Sequence, residues 1–212
     1  MNQEYMKTRK ILPLVLSMSL PMVISMAVNA LYNIVDSYFV AKISEDAMTA
    51  LALVFPMQNL VNAIVIGFAI GINARVAFYL GAKEEKMADE SASVGLLLNL
   101  IHGLVLALLC SAIMPSFLRM FTGDTQVIAL ACTYSTRVFA FAPVIGLGLA
   151  YEKIFQAVGR MKVSMICMML GCVTNIILDP VFIFAFDMGV QGAALATVIS
   201  QFTSAILCLI HL

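Results

Sequence analysis

Six apolar stretches fill almost the whole chain, and each is about as long as the roughly twenty residues that an α-helix needs to cross a bilayer. Hydrophobic residues make up 62% of the sequence and charged residues only 11%, which lies outside the range of soluble domains. The sequence therefore predicts an all-α, multi-pass cell-membrane protein with one six-helix unit. Its predicted spans are 11–41, 50–80, 91–115, 127–149, 163–186 and 189–212.

The basic residues between the spans predict the orientation, because Lys and Arg are retained on the cytoplasmic side. Two basic residues, Lys42 and Arg119, fall in the connections that would be outside. We therefore expect both ends of the chain to be cytoplasmic. The basic residues on that side are Lys7, Arg9, Lys10, Arg75, Lys83, Lys86, Lys153, Arg160 and Lys162.

The ends of the sequence predict a piece of a larger membrane protein. A cleaved signal peptide is rejected, because the apolar run continues past Ser25-Met26-Ala27 and exceeds a signal's length of about 7 to 15 residues. The chain stops at Ile210-His211-Leu212, still within an apolar stretch. We therefore expect the sequence to be cut off.

Several classes of function find no support in the residues. The 12 acidic and 12 basic residues cancel, so net charge does not indicate a nucleic acid partner. The five cysteines lack metal-ligand spacing, and we see no pairing of a nucleophile with a base and no phosphate-binding loop. The expectation is a protein without a cofactor that is not an enzyme.

Asp36 is an acid inside an otherwise uncharged apolar stretch, where a carboxylate costs roughly 2.5 to 3.5 kcal/mol on insertion scales. Ser25, Asn29 and Asn33 lie on the same helical stripe, with Tyr32 beside it. A polar stripe must face the protein interior, since lipid does not solvate it. The alternative is that the asparagines only hydrogen-bond to neighbouring helices.

Spans five and six bring further oxygen atoms to the same depth. Asn175 and Asp179 are one turn apart, and Pro180 predicts a bend after them. Thr197 in span six reaches a similar level, and Gln201 continues its stripe. Carboxylate, amide and hydroxyl oxygens suit a small hard cation or a proton. The alternative is a permanent hydrogen-bonded pair of acids that locks the two helices together.

Two features stay open. Arg137 either caps the outer end of span four or faces the interior. Small residues form ridges in spans two and six, which predict close helix contacts. These ridges are Ala63, Gly67 and Gly71, and Gly192, Ala196 and Ser200.

The motifs resemble those of the multidrug and toxic compound extrusion (MATE) transporters along the whole chain. The most specific are Asn175-Ile176-Ile177-Leu178-Asp179-Pro180 and Gly192-Ala193-Ala194-Leu195-Ala196-Thr197. The others are Pro21, Val35-Asp36, Gly81-Ala82 and Gly159-Arg160-Met161-Lys162. Arg75 departs from the family pattern, which has an uncharged polar residue there.

The resemblance implies the N-terminal lobe of a twelve-helix antiporter, driven by Na⁺ or H⁺, that exports drugs and other organic, often cationic, compounds. The missing C-terminal lobe would belong to the same polypeptide, to a second copy or to a partner. The resemblance places the coupling cation at Asp36, Asn175, Asp179 and Thr197, with sodium as the metal if sodium is the coupling ion. It puts Tyr134 nearby and makes Pro21 a bend that responds to cation or proton occupancy.

Two alternatives to drug efflux remain at this point. A lipid-linked oligosaccharide flippase of the same superfamily would carry basic residues in its cavity to meet a pyrophosphate, and only Arg137 is a candidate. A non-transporting membrane scaffold, or a half-transporter subunit, would show no ion-dependent behaviour when both acids are neutralised.

Overall fold

The computed structural model describes residues 10–211, which form helices and short connections with no strand among them. The helices are labelled in chain order. They are α1 Ile11–Ala41, α2 Glu45–Gly81, α3 Glu85–Arg119, α4 Thr125–Ala140, α5 Ala142–Ala157, α6 Met161–Pro180 and α7 Val190–His211. A π-helical turn, Val181–Ala185, follows α6 directly.

The helices run up and down between two ends of a bundle. At one end, called the Ser44 end, a Cβ built on Gly189 would lie 3.9 Å from the Ile43 side chain. At the other, called the Arg160 end, the Arg160 guanidinium donates to the His211 carbonyl at 3.1 Å. Lys7, Arg9 and Leu212, on which the predicted orientation and last span partly rest, lie outside the described residues.

Six membrane crossings account for these helices, which confirms the predicted fold class. Five helices are long and apolar enough to cross alone, with the π-helical turn extending α6, and α4 and α5 together make one further crossing. Apolar side chains such as Leu12, Leu16 and Ile34 of α1 are exposed, as expected of a surface that meets lipid or another helix.

The fourth crossing differs from the single helix expected over 127–149. It breaks at Phe141, where α4 and α5 meet at a bend of 49°, and it continues to Ala157. Pro143 in the first turn of α5 explains the break, because proline has no N–H to donate and disfavours a continuous helix before it.

Helix α3 packs against the bend between α4 and α5. A Cβ built on Gly103 would lie 2.6 Å from Pro143 Cα, so only glycine allows this approach. One turn away, the buried Asn99 side chain donates to the Gly146 carbonyl at 3.1 Å. The bend therefore rests on a close backbone contact and a buried hydrogen bond.

The two ridges of small residues behave differently. Gly192 of α7 packs tightly, since a Cβ there would lie 2.7 Å from the Phe182 carbonyl carbon. By contrast, a Cβ on Gly67 or Gly71 of α2 would meet nothing within 4 Å. The ridge on α7 is a close helix contact, as expected, whereas the one on α2 has no helix against it in the described part of the chain.

The two prolines expected to bend helices occupy different settings. Helix α1 continues through Pro21 without a break, and Ser25 Oγ donates to the Pro21 carbonyl at 2.9 Å. Helix α6 ends at Pro180, where the chain changes to the π-helical turn. The local geometry therefore changes after Pro180, and the response of Pro21 to occupancy stays a prediction.

Candidate functional site

The structure brings together the four residues that the sequence singled out. Asp36 of α1, Asn175 and Asp179 of α6 and Thr197 of α7 meet in the half of the bundle nearer the Ser44 end. Asn175 and Asp179 are fully buried, and Asp36 and Thr197 are 6% and 3% exposed. The site thus joins three helices that are distant in sequence.

Asn175 links the acid on its own helix to α7. We assign its amide orientation from its neighbours. In that orientation its nitrogen donates to Asp179 Oδ2 at 3.0 Å, and its oxygen accepts from the Thr197 backbone N–H at 3.2 Å. The side chain therefore fixes the position of Asp179 relative to α7.

The acids themselves are incompletely satisfied. The carboxyl groups of Asp36 and Asp179 adjoin each other. Asp36 Oδ1, Asp179 Oδ1 and Thr197 Oγ1 are buried, yet none has a hydrogen-bond partner within residues 10–211. Two adjacent carboxylates repel in an apolar interior, and a shared proton or a bound cation removes that repulsion. The arrangement can therefore bind a small positive charge.

Two buried tyrosines surround the hydroxyl group of Thr197. The phenol groups of Tyr32 and Tyr134 both adjoin Thr197, and both rings are almost fully buried. Tyr134 was expected near the site, but Tyr32 was not selected as a site residue. Its position four residues before Asp36 was the available signal, because residues four apart share a helix face.

The site opens into a cavity of about 810 Å³ that runs along the bundle. Asn29, Asn33 and Gln201 line this cavity. Asn33 Nδ2 donates to Asn29 Oδ1 at 3.0 Å, so the two asparagines are linked within α1. Pro21 lies about 22 Å from Asp36 along α1, at about 1.5 Å per residue, and is not part of the cluster.

Arg137 lies in the last turn of α4, beside the break at Phe141. The free carbonyl groups at a helix end favour a positive charge there. Arg137 is half-buried, does not line the cavity and has no ion-pair partner among the residues that the structure describes. The same described residues hold no group of three or more His, Cys, Asp or Glu that could bind a metal ion.

The comparison with protein families decides the assignment. The MatE family model matches residues 21–181, which is more than half of the chain. The chain belongs to the MatE family. This confirms the resemblance read from the motifs, and it makes the cluster around Asp36 part of a MATE fold.

The curated relatives carry the name multidrug export protein. "Multidrug export protein MepA" of Staphylococcus aureus (strain NCTC 8325 / PS 47) is 28% identical over 208 residues, covering 98% of this chain and 46% of the relative. MepA of Staphylococcus saprophyticus is 28% identical over 194 residues, covering 91% and 43%. The chain therefore spans about half the length of these relatives.

Solved MATE structures share the fold of the chain. A MOP superfamily transporter from Pyrococcus furiosus superposes with a TM-score of 0.88 at 30% identity, covering 92% of this chain and 43% of that one. An outward-facing multidrug resistance MATE transporter gives the same values. The six crossings thus correspond to one lobe of a MATE transporter.

Proposed function

We propose that this chain is the coupling-site lobe of a cation-driven antiporter that exports organic, often cationic, compounds by alternating access. The lobe carries Asp36 and Asp179 as coupling acids, with both chain ends in the cytoplasm. The protein is not an enzyme, and its substrates enter the cavity rather than a catalytic centre. Its second lobe belongs to the same polypeptide, to a second copy or to a partner.

The unpartnered oxygens at the three-helix junction carry this proposal. Asp36 Oδ1, Asp179 Oδ1 and Thr197 Oγ1 are buried and have no partner at hydrogen-bond distance within residues 10–211, although the phenol groups of Tyr32 and Tyr134 adjoin Thr197. A purely structural pair of acids would satisfy its oxygens within the protein, because an unsatisfied buried polar group costs about 1 to 3 kcal/mol. A cation or proton that comes and goes explains why they are left open.

The donor set fits sodium as well as a proton. Hard cations prefer carboxylate, hydroxyl and carbonyl oxygens, and the junction supplies two carboxyls and a hydroxyl. The oxygen of Asn175 already accepts a hydrogen bond from the Thr197 N–H. In this scheme Asn175 therefore mainly positions the acids, and the acids and the hydroxyl bind the ion. Sodium-dependent protection against thermal unfolding, measured at fixed pH, distinguishes the two coupling ions.

The experiment is Asp36→Asn in the full-length gene product, reconstituted in vesicles and measured for ion-driven export of a fluorescent cation such as ethidium. We expect coupled export to be abolished, because the neutral amide cannot exchange a positive charge. Membrane insertion should be unchanged. Asp89→Asn is the matched control, since Asp89 is exposed and does not line the cavity.

Full export by Asp36→Asn would overturn the coupling role. If Asp36→Asn and Asp179→Asn altered only assembly or stability, and the wild type showed no ion dependence, a membrane scaffold would explain the protein better. A flippase is disfavoured, because no Lys or Arg lines the cavity to meet a pyrophosphate, and the Lys153 ammonium group that contacts the cavity-lining Glu152 is neutralised by that acid. The intact mass of the native product, compared with 23.0 kDa, decides whether the second lobe is covalently attached.

A further inference from the structure

A third acid, Glu152, lies in the same cavity at the opposite end from Asp36. It belongs to α5 and lines the cavity together with Ser204 of α7. A Cβ on Gly148 would lie 3.4 Å from Ala205 Cβ, which sets the level of α5 against α7. Counting from Thr197 to Ala205 and then one turn to Glu152 gives about 18 Å between the two sites along the bundle. Glu152 is therefore not part of the Asp36 junction.

The carboxylate of Glu152 is already bound by groups of its own helix. Lys153 Nζ lies 3.0 Å from Glu152 Oε1, and Gln156 Nε2 donates to the same oxygen at 2.7 Å. Lys153 Nζ also donates to Gln156 Oε1 at 3.2 Å. The other carboxylate oxygen, Oε2, receives no hydrogen bond from any residue between 10 and 211. One oxygen thus stays available to a ligand in the cavity.

The ion pair is poorly placed on the helix. Side chains of consecutive residues do not face each other, so Lys153 must fold back to reach Glu152. The two side chains are 17% and 13% exposed, which leaves both within reach of the cavity and of water. The Lys153 carbonyl, in contrast, is fixed by Asn73 Nδ2 at 2.6 Å. The backbone is thus held by another helix, whereas the ammonium group is held by side chains of its own helix.

We propose that Glu152 is a binding site for the charged centre of an organic cation, and that the Lys153 ammonium group occupies this site until the ligand displaces it. The lysine is a primary ammonium group already bound to the carboxylate, so it marks the ligand chemistry that fits. The lining of the cavity also includes the apolar side chains of Met168 and Leu149 and the hydroxyl of Ser204. A single carboxylate in a wall that mixes apolar and polar side chains suits an organic ammonium or phosphonium ion, whereas a hard metal cation requires several oxygens.

This inference rests on the proposed function, because it makes Glu152 the position that selects cationic substrates. The test measures binding of radiolabelled tetraphenylphosphonium to the full-length gene product in nanodiscs, with empty nanodiscs as the background. Triphenylphosphine is the uncharged competitor. Binding needs no ion gradient, so the result does not depend on coupled export.

We expect Glu152→Gln to weaken tetraphenylphosphonium binding about tenfold. The affinity for triphenylphosphine, obtained from the competition, should be unchanged. Lys153→Met should strengthen tetraphenylphosphonium binding about threefold, because the internal competitor is gone. Asp89→Asn is the matched control and should bind like the wild type. Lys153→Met retains the acid, so it tests the proposal even where Glu152→Gln fails to fold.

Unchanged cation binding in Glu152→Gln, or an equal loss for the uncharged competitor, would overturn the site. Cation binding in Lys153→Met no tighter than in the wild type would overturn the displacement by lysine. If Glu152 governs cation binding but the wild type shows no ion-driven export, the proposed antiport fails and this inference stands. If export is normal and Glu152→Gln binds the cation like the wild type, the proposed antiport stands and the Glu152 site is wrong.

Discussion

Each end of the cavity holds one acid at a corresponding place in its helix, but the two acids have different partners. Asp36 lies five residues before the end of α1 at the Ser44 end, and Glu152 lies five residues before the end of α5 at the Arg160 end. Asp36 faces a second acid and keeps an unpartnered oxygen, whereas Glu152 is bound by a lysine and a glutamine of its own helix. Asp36 therefore requires a proton or a bound cation, whereas Glu152 is already paired with the Lys153 ammonium group.

The two acids can therefore bind two different kinds of cation in one cavity. The Ser44 end offers several buried oxygens at a junction of three helices, which suits a small ion that is fully dehydrated. The Arg160 end offers one partly buried carboxylate, which suits a larger ion that keeps apolar contacts.

The largest effect is expected at the buried junction. Asn175→Leu removes the donor to Asp179 and the acceptor of the Thr197 N–H, so it should destabilise the protein by about 3 kcal/mol. Thermal unfolding in detergent, followed by circular dichroism, measures this change. A loss no greater than that of the exposed control Asn59→Leu would mean that Asn175 does not hold the junction.

Asp36→Asn should act in the opposite direction on stability. It removes one of two adjacent carboxylates, and relief of their repulsion should stabilise the folded state by about 1 to 2 kcal/mol while export is lost. Glu152→Gln should give no such gain, because Glu152 has no acidic neighbour in the hydrogen-bonded group. Equal stability changes for the two variants would break the comparison.

Thr197→Val tests the hydroxyl group with little change in volume. Since Thr197 Oγ1 adjoins the phenol groups of Tyr32 and Tyr134 but has no partner at hydrogen-bond distance among the described residues, its loss should change stability by less than about 1 kcal/mol. Ion-driven export should nevertheless fall about tenfold, because a ligand of the coupling ion is gone. A stability loss with normal export would make the hydroxyl structural.

The smallest effect is expected at the partly buried network of Glu152, Lys153 and Gln156. Gln156→Leu removes the 2.7 Å hydrogen bond to Glu152, and it should cost at most about 1 kcal/mol of stability because water can replace the donor. The same melting experiment measures it beside Asn175→Leu. A loss of stability as large as that of Asn175→Leu would show that the Arg160 end of the cavity is as tightly packed as the Ser44 end.

Most of the fold follows from the sequence, because bilayer thickness fixes how long an apolar helix must be. The first span was predicted with the bounds that α1 has. The break in the fourth crossing was missed, since hydropathy does not respond to the helix-breaking effect of Pro143. That omission also ended the predicted span at Leu149 and left Glu152 outside it.

The meeting of Asp36, Asn175, Asp179 and Thr197 was predictable because each polar group is costly in an apolar helix and must find the others. Tyr32 was harder to select, since an aromatic ring is also ordinary packing. The network of Glu152, Lys153 and Gln156 was not predictable from the pattern, because charged residues near a helix end are normally solvated. Its place in the cavity depends on how α5 lies against α7.

The contact between Gly103 and Pro143 holds α3 against the bend of the fourth crossing, and α5 extends from this bend as a straight helix. Glu152 lies eleven residues beyond Phe141, which is about 16 Å of helix. A rotation of roughly ten degrees about Phe141 would carry the Glu152 carboxylate by about 3 Å, close to the length of a hydrogen bond. The absence of a side chain at Gly103, on the side of α3 that faces α5, thus affects the position of an acid that lines the cavity.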